Sequence, residues 1–344
     1  LPDRLYAHVT RWRYRALTAT GVQRRLHRPV ISIGNLSVGG TGKTPVVAEV
    51  ARWLLADGHR PAILSRGYGR RVAPPGVVVV ADATGLQAGL DVSGDEPLML
   101  ARAVPGACVC VSDDRYLAGV LAERTLGATV HVLDDGFQHV QLWRDLDVLV
   151  TRVGEIPQGR VLPRGRLREP RDAAARAHIA VVMGATAAEA RDEAWALGIG
   201  ESCGALRRLG YPERVMTGET SVVAHQADTR PGPRVMAVAG IANPDRFAGD
   251  LSAAGYEVAE HQWYADHHRF TAHDVAALAS RAAAVRLPVL TTDKDAVRLE
   301  QLWPADVPLF RVPVHLDWTP SDGVRDRVRA LLAASAEQES ACAS

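Results

Sequence analysis

The strongest chemical signal in the chain is Ile31-Ser-Ile-Gly-Asn-Leu-Ser-Val-Gly-Gly-Thr-Gly-Lys-Thr-Pro45. A short apolar run enters a glycine-rich turn, and Gly42, Lys43 and Thr44 then open a helix-length amphipathic stretch. Glycines let successive backbone N–H groups converge on phosphate oxygens, aided by the positive end of the following helix. This pattern implies a nucleoside triphosphate site made by Gly39, Gly40, Thr41, Gly42, Lys43 and Thr44. Lys43 would reach the β- and γ-phosphates and Thr44 would place its hydroxyl on Mg²⁺. Pro45 suits a first helical turn, where no N–H is needed. The spacing G-x-x-x-x-G-K-[ST] calls for glycine at position 37; here Ser37 stands there, surrounded by Gly34, Gly39 and Gly40.

Acidic residues follow at places suited to such a site. The apolar run Thr129–Leu133 ends in Asp134 and Asp135, where a neighbouring parallel strand would carry carboxylates to Mg²⁺. Asp-Asp-Gly is also ordinary turn chemistry, and the phosphate loop upstream favours the metal reading. Asp95 and Glu96 precede a helix, either as a functional pair or as acidic first-turn residues. The run Ser65 to Arg70 is either an anion-binding loop or a glycine-rich turn. Asp266, His267 and His268 lie near His261 and His273 without H-E-x-x-H spacing, which favours a histidine orienting a carboxylate over a metal ligand. Lys294 sits in Thr-Thr-Asp-Lys-Asp, which is not the guanine-reading N-K-x-D because Ala296 follows Asp295.

Scarcity sharpens these assignments. Of 40 basic residues only Lys43 and Lys294 are lysines, so each marks a place that needs a compact ammonium. A formal charge of +1 gives no field for nucleic acid, and four cysteines, two of them as Cys108-x-Cys110, match neither a zinc nor a disulfide framework. Residues 1–28 hold seven arginines against one acid, with Tyr6, Trp12 and Tyr14 interleaved. Their uncharged stretch, 16–23, is too short and polar for a signal peptide or a membrane span. A basic helix with aromatic residues suits an anionic membrane surface, and equally a helix packed on the protein body.

The elements that must position these groups alternate as βα. Strand-like runs occur at 30–33, 62–64, 77–80, 108–111, 129–133, 147–150 and 179–183, with helix-length stretches such as 45–56 and 114–126 between them. Such alternation predicts an α/β chain built on a mostly parallel sheet with helices on both faces. Residues 152–171 carry six arginines, three prolines and three glycines and read as a long functional loop. Weak patterning at 202–232 suggests a boundary, after which alternation resumes. The expected organisation is a basic amphipathic helix (1–28), a P-loop domain (29–215), a smaller α/β domain (216–333) and a disordered tail (334–344).

In this order the motifs resemble the tetraacyldisaccharide 4′-kinases of lipid A biosynthesis, from about residue 30 to 300. The resemblance rests on the phosphate loop at 34–45, Ser-Arg-Gly-Tyr-Gly-Arg at 65–70 and Gly-Asp-Glu-Pro at 94–97. It continues through Leu-Asp-Asp-Gly-Phe-Gln-His at 133–139, Arg-Asp-Leu-Asp at 144–147 and Leu-Pro-Arg-Gly-Arg-Leu-Arg-Glu-Pro at 162–170. The second half adds Gly-Ile-Ala-Asn-Pro-x-Arg-Phe at 240–247, Asp-His-His at 266–268 and Thr-Thr-Asp-Lys-Asp at 291–295.

The resemblance implies Mg²⁺-dependent transfer of the ATP γ-phosphate to the 4′-hydroxyl of tetraacyldisaccharide 1-phosphate, giving lipid IV-A. It also implies two α/β/α domains, the first P-loop NTPase-like, with the nucleotide in the cleft. The enzyme would be peripheral, held by its N-terminal helix on the anionic cytoplasmic face of the inner membrane. By motif position, Lys43 and Thr44 would handle phosphate and metal, Asp134 and Asp135 would support the metal, and His139 and Glu169 would line the site. Asp95 would be the acid–base partner of the acceptor hydroxyl, oriented by His267. Arg66, Arg70 and the Arg160–Arg171 loop could hold substrate phosphate or anionic lipid. Asp293 stands where the family often has Glu, and Arg164 and Arg166 where smaller or uncharged residues are commoner. A regulatory P-loop GTPase or metallochaperone is disfavoured by the missing N-K-x-D and the absence of Cys-rich spacing. A small-molecule kinase of the dethiobiotin synthetase type is disfavoured by the basic start and large second domain.

Overall fold

The computed structural model describes residues 2–19, 21, 23–215, 232–319 and 323–343, with side chains described to residue 337. Runs of Val, Ile, Leu and Ala too short for a helix and apolar throughout form strands covered on both faces. They build one ten-stranded sheet. From edge to edge its strands are Val314–Thr319, Glu201–Leu209, Ile179–Met183, Leu146–Thr151, Val30–Gly34, Val130–Asp134, Pro61–Ser65, Cys108–Val111, Val78–Asp82 and Gly85–Leu86. From Glu201–Leu209 to Cys108–Val111 every pairing is parallel. The last two strands pair antiparallel.

Register decides where the chemistry goes. Ile33 pairs with Asp134, and Leu64 pairs with Leu133. Three neighbouring strands therefore end at one level, and their loops emerge together at the carboxyl edge, where ligands bind in open α/β sheets. All residues of Val30–Gly34, Val130–Asp134 and Pro61–Ser65 are buried. Lys43–Ala56 packs Val46, Val47, Val50, Ala51 and Leu54 into this core.

The second compact unit, Arg208–His315, is a five-stranded sheet of its own. Its order is Glu213–Arg214, Leu309–Val312, Val289–Thr292, Arg234–Ala239 and Glu257–Trp263, parallel except at the first pairing. Helices Pro244–Ala253, Ala272–Val285 and Asp293–Leu299 accompany it.

Three expectations about organisation change. The smaller unit runs from 208 to 315 rather than 216 to 333, because the chain from Leu316 onward rejoins the first unit. Residues 216–231, next to the expected boundary, lie outside the described residues. The expected disordered tail from 334 is instead the continuation of the helix Gly323–Ala343. That helix is tied down by Arg325 and Arg329, whose guanidiniums hold Asp57 at 2.9 Å each and draw its carboxyl down to about 2, Arg329 contributing most. At the other end, the helix expected over residues 1–28 covers only Pro2–Thr18. Arg24 pairs its N–H with the Gln141 carbonyl (2.9 Å) and its carbonyl with Trp143 N–H (2.8 Å), and Leu26 is buried.

Leu26 is received by a gap in the helix Arg115–Thr125, where a Cβ on Gly119 would lie 2.3 Å from Leu26 Cδ1. Overpacking of a buried contact costs about 1–3 kcal/mol. Gly119→Val is expected to lower stability by about that amount in urea unfolding; an unchanged midpoint would mean that Leu26 is not locked there.

Candidate active site

The phosphate loop leaves the sheet at Gly34, where a side chain would collide with Phe137 at 2.6 Å. Gly39 (φ 104°) and Gly42 (φ 101°) take left-handed backbone that L side chains avoid. The helix then begins at Lys43. Asn35, fully buried, organises the loop interior. Its Nδ2 donates to Thr41 Oγ1 (2.9 Å) and its Oδ1 accepts from Lys43 Nζ (3.1 Å). From outside, Arg152 donates to the Gly40 carbonyl (2.6 Å) and Arg166 to the Val38 carbonyl (2.7 Å). Backbone bonds Val38 N–H to Arg166 O (2.8 Å) and Arg168 N–H to Leu36 O (2.6 Å) lace the loop to residues 166–168.

Lys43 Nζ also lies 3.5 Å from Asp135 Oδ1, while Arg168 Nη1 donates to Asp135 Oδ2 at 2.7 Å. Asp135 sits at φ 52°, a left-handed turn that a short polar side chain tolerates. Asp134, 3% exposed, accepts one hydrogen bond from Ser65 Oγ at 3.1 Å. Burial first, then the charges of Glu96 and Asp135, push its carboxyl up to about 7. Asp135 keeps a lowered pKa despite burial, because Lys43 and Arg168 face it.

The next tier fixes these groups. Gln138 donates to the Asn35 carbonyl (2.9 Å) and to Glu169 Oε1 (3.1 Å), and accepts from Arg168 (3.2 Å). Glu169 is gripped by Arg176 through both oxygens at 2.7 and 3.0 Å. His139 is driven down to about 4, by burial first and by Arg115 next; its Nε2 is buried without a hydrogen-bond partner among the described residues. Arg115 is 6% exposed, and burial first, then the charge of Arg66, lowers its pKa against the opposing pull of Asp134 and Asp135. Of the 65–70 loop, exposed Arg66 pairs with Asp113 (3.5 Å), and Arg70 points inward toward the same carboxylate (3.6 Å). Asp95 opens the helix Asp95–Ala103 behind Gly94, whose φ of 83° lets it pass the Tyr68 carbonyl.

The first unit thus links Lys43, Asp135 and, through Asn35 and Gln138, Glu169, with Asp134 next to Asp135 and Thr44 next to Lys43 in the chain. His267 belongs to the second unit. There its Nε2 meets Lys294 Nζ at 3.0 Å and its Nδ1 meets Arg298 Nη2 at 3.3 Å. Lys294 also reaches Asp266 (3.4 Å), and buried Asp295 holds Gly240 N–H (3.0 Å) and Arg298 (3.0 Å). His268 instead bonds Asp274 (3.2 Å) and stacks on Tyr264, a structural role.

Asn35, Gln138, Arg115 and Arg176 carry the site's geometry and were not singled out for it by sequence. The rarity of asparagine was the one available signal, since only Asn35 and Asn243 occur. Among the described residues no three His, Cys, Asp or Glu side chains cluster as a metal cage. Two carboxylates and a hydroxyl fit Mg²⁺, which takes few protein ligands and completes its shell with phosphate and water. Asp135 Oδ1, buried and met only by the Lys43 ammonium at 3.5 Å rather than by a close hydrogen bond, is an oxygen suited to that role.

A carboxyl raised in the folded state to about 7 binds its proton more tightly there than in the unfolded chain. Its contribution to stability is present in acid and is lost as pH rises through about 7. Between about pH 4 and 7 this loss runs against the gain from buried His139, held down to about 4, so Asp134→Asn is expected to make the stability of the nucleotide-free protein rise more steeply with pH in denaturant titrations. A wild-type slope unchanged by the substitution would remove Asp134 as a source of that loss.

Known proteins resemble this chain along most of its length. Residues 3–333 match the family model described as tetraacyldisaccharide-1-P 4′-kinase. The tetraacyldisaccharide 4′-kinase of Geobacter metallireducens is 42% identical over 278 residues, 80% of each chain. That of Geobacter sulfurreducens is 37% identical over 334 residues, 95% of this chain and 92% of the relative. The crystal structure of "apo" form LpxK from Aquifex aeolicus in complex with ATP superposes with a TM-score of 0.74 at 28% identity, covering 96% of this chain and 97% of that one. With the phosphate loop and the paired carboxylates falling inside the matched region, the chain belongs to the tetraacyldisaccharide 4′-kinase family.

Proposed function

We propose that this chain transfers the γ-phosphate of ATP to the 4′-hydroxyl of tetraacyldisaccharide 1-phosphate, giving lipid IV-A. The observation that carries this reading is the Lys43 ammonium, seated between Asn35 Oδ1 at 3.1 Å and Asp135 Oδ1 at 3.5 Å. At the mouth of a phosphate loop that position suits β/γ-phosphate oxygens and opposes charge developing in transfer. Thr44, Asp134 and Asp135 would hold Mg²⁺, which supplies further neutralisation of phosphate charge. The loop N–H groups bind and orient the phosphates, while Arg152 and Arg166 keep the loop carbonyls turned away from them. Asp95 accepts the proton that leaves the acceptor hydroxyl as its oxygen bonds to phosphorus. His267, placed by Lys294 and Arg298, is the partner proposed for that carboxylate. Arg66 and Arg70 are proposed for acceptor phosphate, and His139 for the wall of the site.

The acceptor carries acyl chains, so the reaction takes place at a lipid surface. The helix Pro2–Thr18 has no buried residue. Arg11 pairs with Asp172 (2.9 Å), Asp3 with Arg164 (3.8 Å), and Tyr14 lies under Arg176 (4.4 Å). Leu5, Val9 and Trp12 are bare, at 66%, 51% and 67% exposure. Their spacing puts them on one helical face. Apolar side chains bordered by Arg4, Arg13 and Arg15 suit an anionic bilayer surface. No described helix is long and apolar enough to cross a membrane. Peripheral attachment at the cytoplasmic face of the inner membrane is the arrangement these features support.

In detergent micelles with Mg-ATP, the protein is expected to phosphorylate tetraacyldisaccharide 1-phosphate, and Lys43→Ala to lose about a thousandfold or more in kcat. Absence of turnover by folded, ATP-binding wild type would overturn the reading. Replacing Leu5, Val9 and Trp12 together by Ser is expected to abolish sedimentation with anionic vesicles while ATP affinity is kept. Vesicle binding that survives the triple substitution would assign attachment elsewhere.

A further inference from the structure

Position 37 is where the phosphate-loop spacing calls for glycine, and this chain has a serine that is 1% exposed. Its hydroxyl donates to Glu155 Oε1 at 2.6 Å, and its oxygen accepts from Asn35 Nδ2 at 3.3 Å. The same Nδ2 donates to Thr41 Oγ1, and Asn35 Oδ1 accepts from Lys43. The hydrogen bonds therefore run in one direction, from Asn35 to Ser37 to Glu155, and they leave a single carbonyl oxygen facing the lysine.

Direction is the functional content of this chain. A carboxylate only accepts, so it compels the Ser37 hydroxyl to donate outward and to offer lone pairs to Asn35. Without that acceptor the hydroxyl is free to turn toward Asn35 and compete for its Oδ1. An amide can also flip, which would aim Nδ2, a donor, at the Lys43 ammonium. Glu155 is well fixed for the task. Its N–H donates to the Arg152 carbonyl at 3.1 Å, and the next residue, Ile156, is 1% exposed in the core. Arg152 and Arg166 line the same cavity as Ser37 and Glu155, and both donate to loop carbonyls. The second oxygen of Glu155 is buried without a hydrogen-bond partner among the described residues, so the serine is its principal hydrogen-bonded contact.

We propose that Glu155 is a positioning residue for the kinase reaction: acting through Ser37 and Asn35, it sets the polarity of the hydrogen-bond relay that holds Lys43 in its phosphate-binding position. The inference rests on the kinase reading for its effect on turnover, but its effect on nucleotide affinity does not require the lipid acceptor.

The test combines Mg-ATP binding by calorimetry with steady-state kinetics for Glu155→Ala, Glu155→Gln, Ser37→Ala and the double variant Ser37→Ala/Glu155→Ala, with thermal unfolding alongside. Glu155→Ala is expected to weaken Mg-ATP binding and lower kcat about tenfold, with KM for the lipid unchanged. Glu155→Gln, which keeps an acceptor oxygen, should stay within about threefold of wild type. Ser37→Ala should resemble Glu155→Ala, and the double variant should be no worse than the poorer single one, because both cut the same relay. A Glu155→Ala protein with wild-type affinity and kcat would overturn the proposal. So would a Gln variant as impaired as Ala, or additive losses in the double variant. Should Glu155→Ala not fold, Ser37→Ala decides alone: wild-type affinity in that variant excludes the relay. If wild type binds Mg-ATP but does not phosphorylate the lipid, the kinase reading fails and the binding series still decides this one.

Discussion

Two adjacent carboxylates at the end of a fully buried strand impose the constraint around which this site is arranged. Asp134 and Asp135 cannot both be ionised at low dielectric without cationic partners. The structure separates their fates. Asp135 turns out through a left-handed backbone into the company of Lys43 and Arg168, whereas Asp134 stays in the core with one serine hydroxyl. The consequence is a pair in which one group is held ionised and the other takes up a proton near neutrality. A divalent cation held by these carboxylates would favour an ionised Asp134. The parallel pairing of the two strands, with Ile33 opposite Asp134, places this pair beside the phosphate loop that the adjacent strand carries.

Much of the rest serves to keep that geometry rigid. Residues 152–168 form a collar around the loop, with Arg152, Arg166 and Arg168 each engaged by a carbonyl or carboxylate of the site. Arg166 and Arg168 belong to the Arg160–Arg171 loop that, by the resemblance, could hold substrate phosphate or anionic lipid. Arginine serves here because one planar guanidinium can satisfy a loop carbonyl and remain charged beside phosphate. Gln138 and Glu169 continue the brace to Arg176, whose guanidinium packs on the rings of Tyr14 and Phe137. The N-terminal helix is therefore linked to the phosphate loop through few side chains.

The fold was legible in sequence wherever strands are rich in Val, Ile and Leu. Cys108–Val111, Ile179–Met183 and Val289–Thr292 have the limits that their apolar runs suggest. Glu201–Leu209 escaped because its buried positions are Cys203, Gly204 and Ala205, too small to stand out against its charges. The unit boundary was misplaced for the same reason, and the return of the chain at Leu316 depends on long-range pairing that no local pattern encodes. For the site, the residues that touch phosphate in other P-loop proteins were readable by spacing, since backbone geometry demands them. Asn35, Gln138, Arg115 and Arg176 act through orientation and burial, which appear only once distant segments are brought together.

Lysine usage offers a consistent reason why orientation matters. In a chain that writes arginine almost everywhere, both lysines make the same kind of contacts: one amide or imidazole atom and one carboxylate. Lys43 has Asn35 Oδ1 and Asp135; Lys294 has His267 Nε2 and Asp266. A guanidinium at either place would span both partners with its fork and fill the space left for a third ligand. An ammonium keeps a third donor to direct elsewhere. At Lys43 that donor faces the mouth of the phosphate loop. At Lys294 the ammonium lies 3.0 Å from His267 Nε2 while Arg298 Nη2 lies 3.3 Å from Nδ1, so the imidazole is held at both ring nitrogens. The two ammonium groups thus share one arrangement: each holds a polar side chain on one side and a carboxylate on the other.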